Sequence, residues 1–274
     1  MIATEDLNQV LSLAPIAMNP KAGKWRTEAM RSHSTPRLLF VAKGQGRITI
    51  AGLTRGFGPN NVIFIPAKTM YGYTLGPTVF GQMLTIPSAM APEWPDEPTH
   101  LRLRDVAVQK DFSSLLDGLE RELSTNTDAG RRAAHYQLGL VSVFFERQLD
   151  AHSDLQQDDR LHTSAARVVA AYTDLVERDF RSKMGVAEYA AALGVTPTHL
   201  TRCCNATCGR SALELLTDRK HFEACSLLRD TKQPVNQIAT SLGFSSAAYF
   251  SRAFQSKAGR SPSQFRKFGG QSKP

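Results

Sequence analysis

About a third of the way along this chain the apolar residues change their spacing, and the change falls on a proline-rich stretch. From Pro36 to Pro87 they come in short runs: Leu38-Leu39-Phe40-Val41, Arg47-Ile48-Thr49-Ile50, Val62-Ile63-Phe64-Ile65, Tyr71-Gly72-Tyr73-Thr74-Leu75 and Val79 to Leu84. Turns at Lys43–Gly46 and Gly58–Asn61 separate them. Short strands punctuated by Gly, Pro and Asn predict an antiparallel sandwich or barrel. Pro87 to Pro98 carries four prolines and reads as a connection without regular structure. Beyond it the period is helical. Phe112, Leu115, Leu116, Leu119 and Leu123 make one stripe; Tyr136, Leu140, Val143 and Phe144 make a second, within a segment from about Asp128 to Leu149. The polar stretch His152 to Asp159 reads as a linker, and from Thr163 onward the pattern is helices divided by Gly and Pro. The expected fold class is therefore α+β and multidomain: an antiparallel β-barrel with covering helices, then an all-α domain.

The C-terminal part repeats one design. Val186, Tyr189, Ala190 and Leu193 form an apolar face that stops at Gly194, and Thr196-Pro197 restarts a helix as N-cap and first-turn proline. Val235, Ile238, Ala239 and Leu242 stop at Gly243, with Ser245-Ser246 as the cap. A small Ala lets the helices approach, and the Gly permits the positive φ of a tight turn. This is a helix-turn-helix pattern, present twice about 49 residues apart. A continuous helix from Ser211 to Leu228 would space the two copies by about 25 Å, against ~34 Å between successive major grooves.

Charge points to the partner. The formal net charge is +8, and residues 181–274 hold 14 Lys and Arg against 5 Asp and Glu, whereas residues 1–180 hold 19 against 20. A neutral body with a basic module predicts one polyanion-facing surface. On the outward faces of the second helices lie Thr198, Thr201 and Arg202 in one copy, and Ala248, Ser251 and Arg252 in the other. Arg reads guanine bidentately, and Thr or Ala meets thymine methyls, so these residues are the candidate contacts to double-stranded DNA.

The string Ile238-Ala239, Leu242-Gly243-Phe244, Tyr249-Phe250-Ser251-Arg252-Ala253-Phe254, Gly259-Arg260-Ser261-Pro262 and Phe265-Arg266 resembles the AraC/XylS-type DNA-binding domain. The resemblance covers about Thr163 to Lys267. It implies a sequence-specific transcriptional regulator whose two units dock on one face of the duplex, with Thr198, Thr201 and Arg202, and Ser246, Ala247, Ala248, Ser251 and Arg252, as the DNA-contacting residues. Cys204 stands where the family usually has Phe, Asn205 and Gln255 where a basic residue often follows, and Ala212 where Pro is usual. Two fewer cations near the phosphates predict weaker non-specific binding. More loosely, Arg37 to Pro87, through Asn60-Asn61-Val62-Ile63-Phe64-Ile65-Pro66-Ala67, resembles the cupin-like sensor domain that often precedes this module. On this layout 1–155 is a sensor and dimerisation domain with a helical segment at 108–150. Residues 163–270 are the DNA-binding domain, with its helix-turn-helix units at 186–206 and 235–257.

Catalytic chemistry finds little support. Catalytic cupins hold a metal on a His-x-His…Glu…His set, whereas here His33 stands alone and Tyr71 occupies the region of the late histidine. Tyr71, Tyr73 and Phe80 are instead candidates to line an effector cavity, or else barrel core. Cys203, Cys204, Cys208 and Cys225 read as buried small side chains rather than zinc ligands or a redox switch. No cofactor or metal is expected. With Glu5 and Asp6 near the start and no apolar run long enough for a bilayer, a cytoplasmic protein with no membrane association is expected. A homodimer is favoured, with RNA polymerase as a further candidate partner. The rival readings are a cupin-type metalloenzyme fused to a nucleic-acid-binding module, and an effector-independent architectural DNA binder.

Overall fold

The computed structural model describes residues 11–17, 25, 28–125, 127–152 and 163–268. Eight strands among these form two antiparallel sheets. β1 (Ser12–Ala17), β7 (Phe80–Thr85), β2 (Arg37–Lys43), β5 (Asn61–Ile65) and β8 (Thr99–Arg102) make one, in that spatial order. β4 (Leu53–Phe57), β3 (Gly46–Ile50) and β6 (Tyr71–Leu75) make the other. Strand alternation divides the core in two. Leu39, Val41, Ile63, Ile65, Tyr71 and Met83 point between the sheets. Leu38, Phe40, Val62, Phe64 and Leu84 point to the opposite face, where two long helices cover them. Burial on both faces is why β2 and β5 read as unbroken apolar runs.

Those covering helices are α1 (Val106–Ser124) and α2 (Asp128–His152). Asp105 caps α1 by accepting from the amides of Ala107 and Val108. Phe112 of α1 meets Phe40 edge-on, with ring centroids 5.1 Å apart. The proline-rich connection is more ordered than expected: Ser88–Glu93 form a 3₁₀ helix with Pro92 inside it. Proline's fixed φ suits so short a turn, which has few internal amides to lose. It delivers Trp94 between Phe64 and Phe145, at 5.5 and 5.6 Å.

The second apolar stripe needs correction. The face of α2 that packs inward is Ala134, Leu138, Val141 and Phe145. Tyr136, Leu140 and Val143 are exposed, Tyr136 by 75%. The helix carries apolar residues on two faces, and spacing alone does not say which of them meets the sheet.

The expected linker lies outside the described residues except for His152, which ends α2. The C-terminal helices are α3 (Ser164–Asp179), α4 (Val186–Ala192), α5 (Pro197–Cys208), α6 (Ala212–Asp230), α7 (Val235–Ser241), α8 (Ala247–Ala258) and α9 (Pro262–Lys267). They share a core around Tyr172, Tyr189, Leu200, Leu215, Ile238, Phe250 and Phe265. The buried Tyr172 hydroxyl donates to the Ala212 carbonyl at 2.7 Å, fastening α3 to the start of α6. Met30 and Met70 of the sheet domain join this core. The turn between β3 and β4 also docks on α3. Gly52 sits there at φ +75°, and a Cβ on it would lie 2.2 Å from Val169 Cγ1, so only glycine fits.

Candidate nucleic-acid interface

Local chemistry builds each helix-turn-helix in the same way. α4 ends at Gly194 (φ +67°) and α7 at Gly243 (φ +73°). Thr196 Oγ1 then accepts from the His199 amide at 3.2 Å, and Ser246 Oγ from the Tyr249 amide at 3.1 Å, capping α5 and α8. The repeat runs further than the sequence reading took it. Left-handed Gly209 and Gly259 end the recognition helices, and Ser211 with Glu214, and Ser261 with Gln264, form capping boxes on the next helices. The turn glycines lie 49 residues apart and the later caps 50, because the second turn is one residue longer.

The faces divide as follows. On α5, Leu200, Cys203 and Cys204 are buried, Thr198 and Arg202 are exposed, and Thr201 is half-buried. On α8, Phe250 and Phe254 are buried, Ala248 and Arg252 are exposed, and Ala247 and Ser251 are half-buried. Ser246 is exposed with its hydroxyl engaged in the cap. Two residues on these faces escaped the sequence reading. Arg202 Nη2 donates to His199 Nδ1 at 2.9 Å, one turn earlier on α5. Tyr249, 53% exposed, takes the matching place before Arg252. The signal was present: an aromatic ring three residues before each arginine in the register of the repeat.

A single carboxylate ties the two units together. Asp218 of α6 accepts from Arg210 Nη1, just past α5, at 2.7 Å, and also pairs with Lys257 of α8. These partly exposed pairs contribute little stability, on the order of 0.5–1 kcal/mol. Their geometry, however, fixes one recognition helix relative to the other. Asp218→Asn should lower operator affinity about two- to fivefold while leaving half-site affinity unchanged, measured by titrating one- and two-site duplexes. Equal loss on both would deny the clamp its role.

Three of the four cysteines are held in the thiol form. Burial pushes the Cys204 thiol up to about 12 and raises Cys208 and Cys225 as well, which withholds the reactive thiolate. Burial also lowers His221, which packs 5.0 Å from the Phe254 ring, to about 4, with Lys257 adding to the effect. No cluster of three or more metal-ligating side chains occurs among the described residues.

In the sensor domain, Tyr71 is buried and Tyr73 half-buried on the inner face of β6, their rings stacked at 6.4 Å. Phe80 is not with them: it is 58% exposed and shares its face of β7 with Leu84, the helix-covered side. As a cavity residue Phe80 is set aside, because strand alternation turns it outward. Among the described residues no helix is long and apolar enough to cross a membrane.

An antiparallel-sheet domain joined to paired helix-turn-helix units defines a DNA-binding transcriptional regulator with its own ligand-binding module. Residues 22–139 match the model of an AraC-like ligand binding domain, and residues 189–267 that of a helix-turn-helix domain. The arabinose operon regulatory protein of Escherichia coli is 24% identical over 84% of this chain and 79% of its own length. The MmsAB operon regulatory protein of Pseudomonas aeruginosa is 24% identical over 85% and 76%. Among solved structures, ToxT of Vibrio cholerae O395 aligns with TM-score 0.44 at 13% identity, over 94% of this chain and 97% of that one. Both domain models, and the curated relatives over most of the chain, are those of AraC-type transcriptional regulators.

Proposed function

We propose that this regulator responds to a small-molecule effector in the sheet domain and reads operator DNA through Thr198, Thr201 and Arg202 of α5 and Ser246, Ala247, Ala248, Ser251 and Arg252 of α8. The division is 1–155 for sensing and pairing and 163–270 for DNA, and the site of action is the cytoplasm, where RNA polymerase is a further partner. The barrel senses and does not catalyse. One observation carries the reading: Arg202 and Arg252 stand exposed on helices whose opposite faces are buried. The test is binding to the chain's own upstream DNA against random duplex at physiological salt. Specific binding at least ~10³-fold tighter is expected. A ratio within a few-fold would mean an architectural binder, and stoichiometric iron, manganese or zinc in the purified protein would mean a metalloenzyme.

The exposed face of α2 supports a dimer. Tyr136, Leu140 and Val143 recur at i, i+4 and i+7 beside Gly139, and with Pro92 and Pro95 they line a groove of about 850 Å³. That spacing suits a helix seam between two copies. Leu140→Lys should convert the dimer to monomer at micromolar concentration in sedimentation velocity. It should weaken two-site operator binding more than single-site binding. A variant that still sediments as a dimer would move the interface elsewhere.

A further inference from the structure

An exposed arginine samples many rotamers, and aiming one at a base costs the freedom of that long side chain. Arg202 is exposed on α5 but already held. Its Nη2 donates to His199 Nδ1 at 2.9 Å, its one side-chain hydrogen bond among the described residues. Guanidinium nitrogens only donate, so Nδ1 accepts and the ring proton sits on Nε2. Nε2 faces the Cys203 Sγ at 3.5 Å, and Cys203 is 5% exposed. The backbone is fixed as well, because the His199 amide donates to Thr196 Oγ1 in the N-cap of α5. His199 is thus anchored at its amide and at one ring nitrogen, and its other ring nitrogen meets Arg202.

This bond narrows what Arg202 can do. One Nη2 hydrogen pairs with Nη1 in a forward fork, and the other pairs with Nε in a sideways one. His199 occupies one of these hydrogens, so a single bidentate grip remains for the N7 and O6 of a guanine. The second unit lacks the device. Tyr249 stands in the register of His199, and Arg252 makes no side-chain hydrogen bond among the described residues.

We infer that His199 is a positioning residue for base recognition, fixing Arg202 in one fork before the DNA arrives and sharpening the α5 half of the operator alone. This rests on reading Arg202 as a base contact. A free arginine facing a wrong base pair turns to its other fork or to a phosphate, and neither contact carries the same sequence information. A held arginine has less freedom to do so, and its ordering cost on binding is smaller.

The experiment titrates the full-length protein against its operator and against operators changed one base pair at a time. Arg202→Ala first identifies the base pairs that Arg202 reads. His199→Leu, which removes the acceptor, should weaken operator binding about three- to tenfold, all of it as lost preference at those same pairs. His199→Gln, whose side-chain carbonyl accepts, should recover most of the preference. In an Arg202→Ala background His199→Leu should cost nothing more, because no arginine remains to be held. A loss of equal size in that background would mean that His199 touches the DNA itself or merely supports α5, and overturns the proposal. So does a loss that extends to the base pairs read from α8, or a glutamine variant no better than leucine. Lost preference in Arg202→Ala without any in His199→Leu sinks this proposal alone. Base preferences left intact by Arg202→Ala sink the base-contact reading and the proposal with it.

Discussion

Replacing Arg219 by alanine is expected to cost about 3–5 kcal/mol, close to half the stability of a typical domain. Arg219 is 4% exposed. Its Nε and Nη2 donate to Glu177 of α3 at 2.7 and 3.2 Å, and its Nη1 to Glu223 of α6 at 2.9 Å. Its guanidinium stacks 3.9 Å from the centre of the Phe180 ring. Removal leaves two poorly hydrated carboxylates facing one another, with Arg181 reaching only Glu223, at 2.5 Å. The pH dependence separates this cause from simple cavity formation. Burial alone would raise the Glu223 carboxyl, but Arg219 and Arg181 override it and hold the group below the ordinary value. A depressed carboxylate stabilises the fold above the unfolded value, ~4.3, and loses that contribution as pH falls through the folded one. Without Arg219 only Arg181 opposes the effect of burial on Glu223, so the group would bind a proton more readily than it does in the intact fold. The deficit of Arg219→Ala should therefore shrink as pH falls from about 7 to 5, read by urea denaturation at each pH. A deficit constant across that range would show that the cost is packing alone.

The parts of this structure that local chemistry specifies were legible before any coordinates. A glycine at positive φ, a Thr or Ser cap and a buried alanine fit within one turn of chain, so Gly194-Val195-Thr196 and Gly243 to Ser246 announce themselves. The strands buried on both faces, β2 and β5, were equally plain. β1, β4 and β8 were not, and all three are sheet edges. An edge strand needs no apolar run on both faces and tolerates a proline, as β1 does with Pro15. The two faces of α2 show the same limit: Leu138 and Leu140 are equally apolar, and only the tertiary arrangement decides that Leu138 is sealed while Leu140 is 55% exposed. Phe80 failed for want of strand parity relative to the core. His199 carries no base-reading signal of its own, and only the folded helix shows it bonded to Arg202.

Removing both recognition arginines is the most demanding trial of the DNA interface. Each bidentate arginine discriminates its base pair by ~1–3 kcal/mol. Arg202 and Arg252 lie on separate helices bridged by α6, whose 19 residues span about 28 Å at 1.5 Å per residue. At such separation the losses should add. The double variant Arg202→Ala/Arg252→Ala is therefore expected to lose ~2–6 kcal/mol on its operator, about 30-fold to 10⁴-fold. Both side chains are exposed, so stability should change by less than ~0.5 kcal/mol per site. Two features mark base readout. Each single variant should relax preference over a few base pairs, and those for Arg202 and Arg252 should lie about one helical turn of DNA apart. The slope of log affinity against log salt should stay nearly unchanged, since a lost phosphate contact would flatten it by ~0.9 per residue. Competition titrations over operators mutated one base pair at a time, repeated across salt, give both quantities. Loss spread evenly over all sequences, with a flatter salt slope, would reassign the two arginines to the phosphate backbone and leave base recognition to Thr198, Thr201, Ala248 and Ser251.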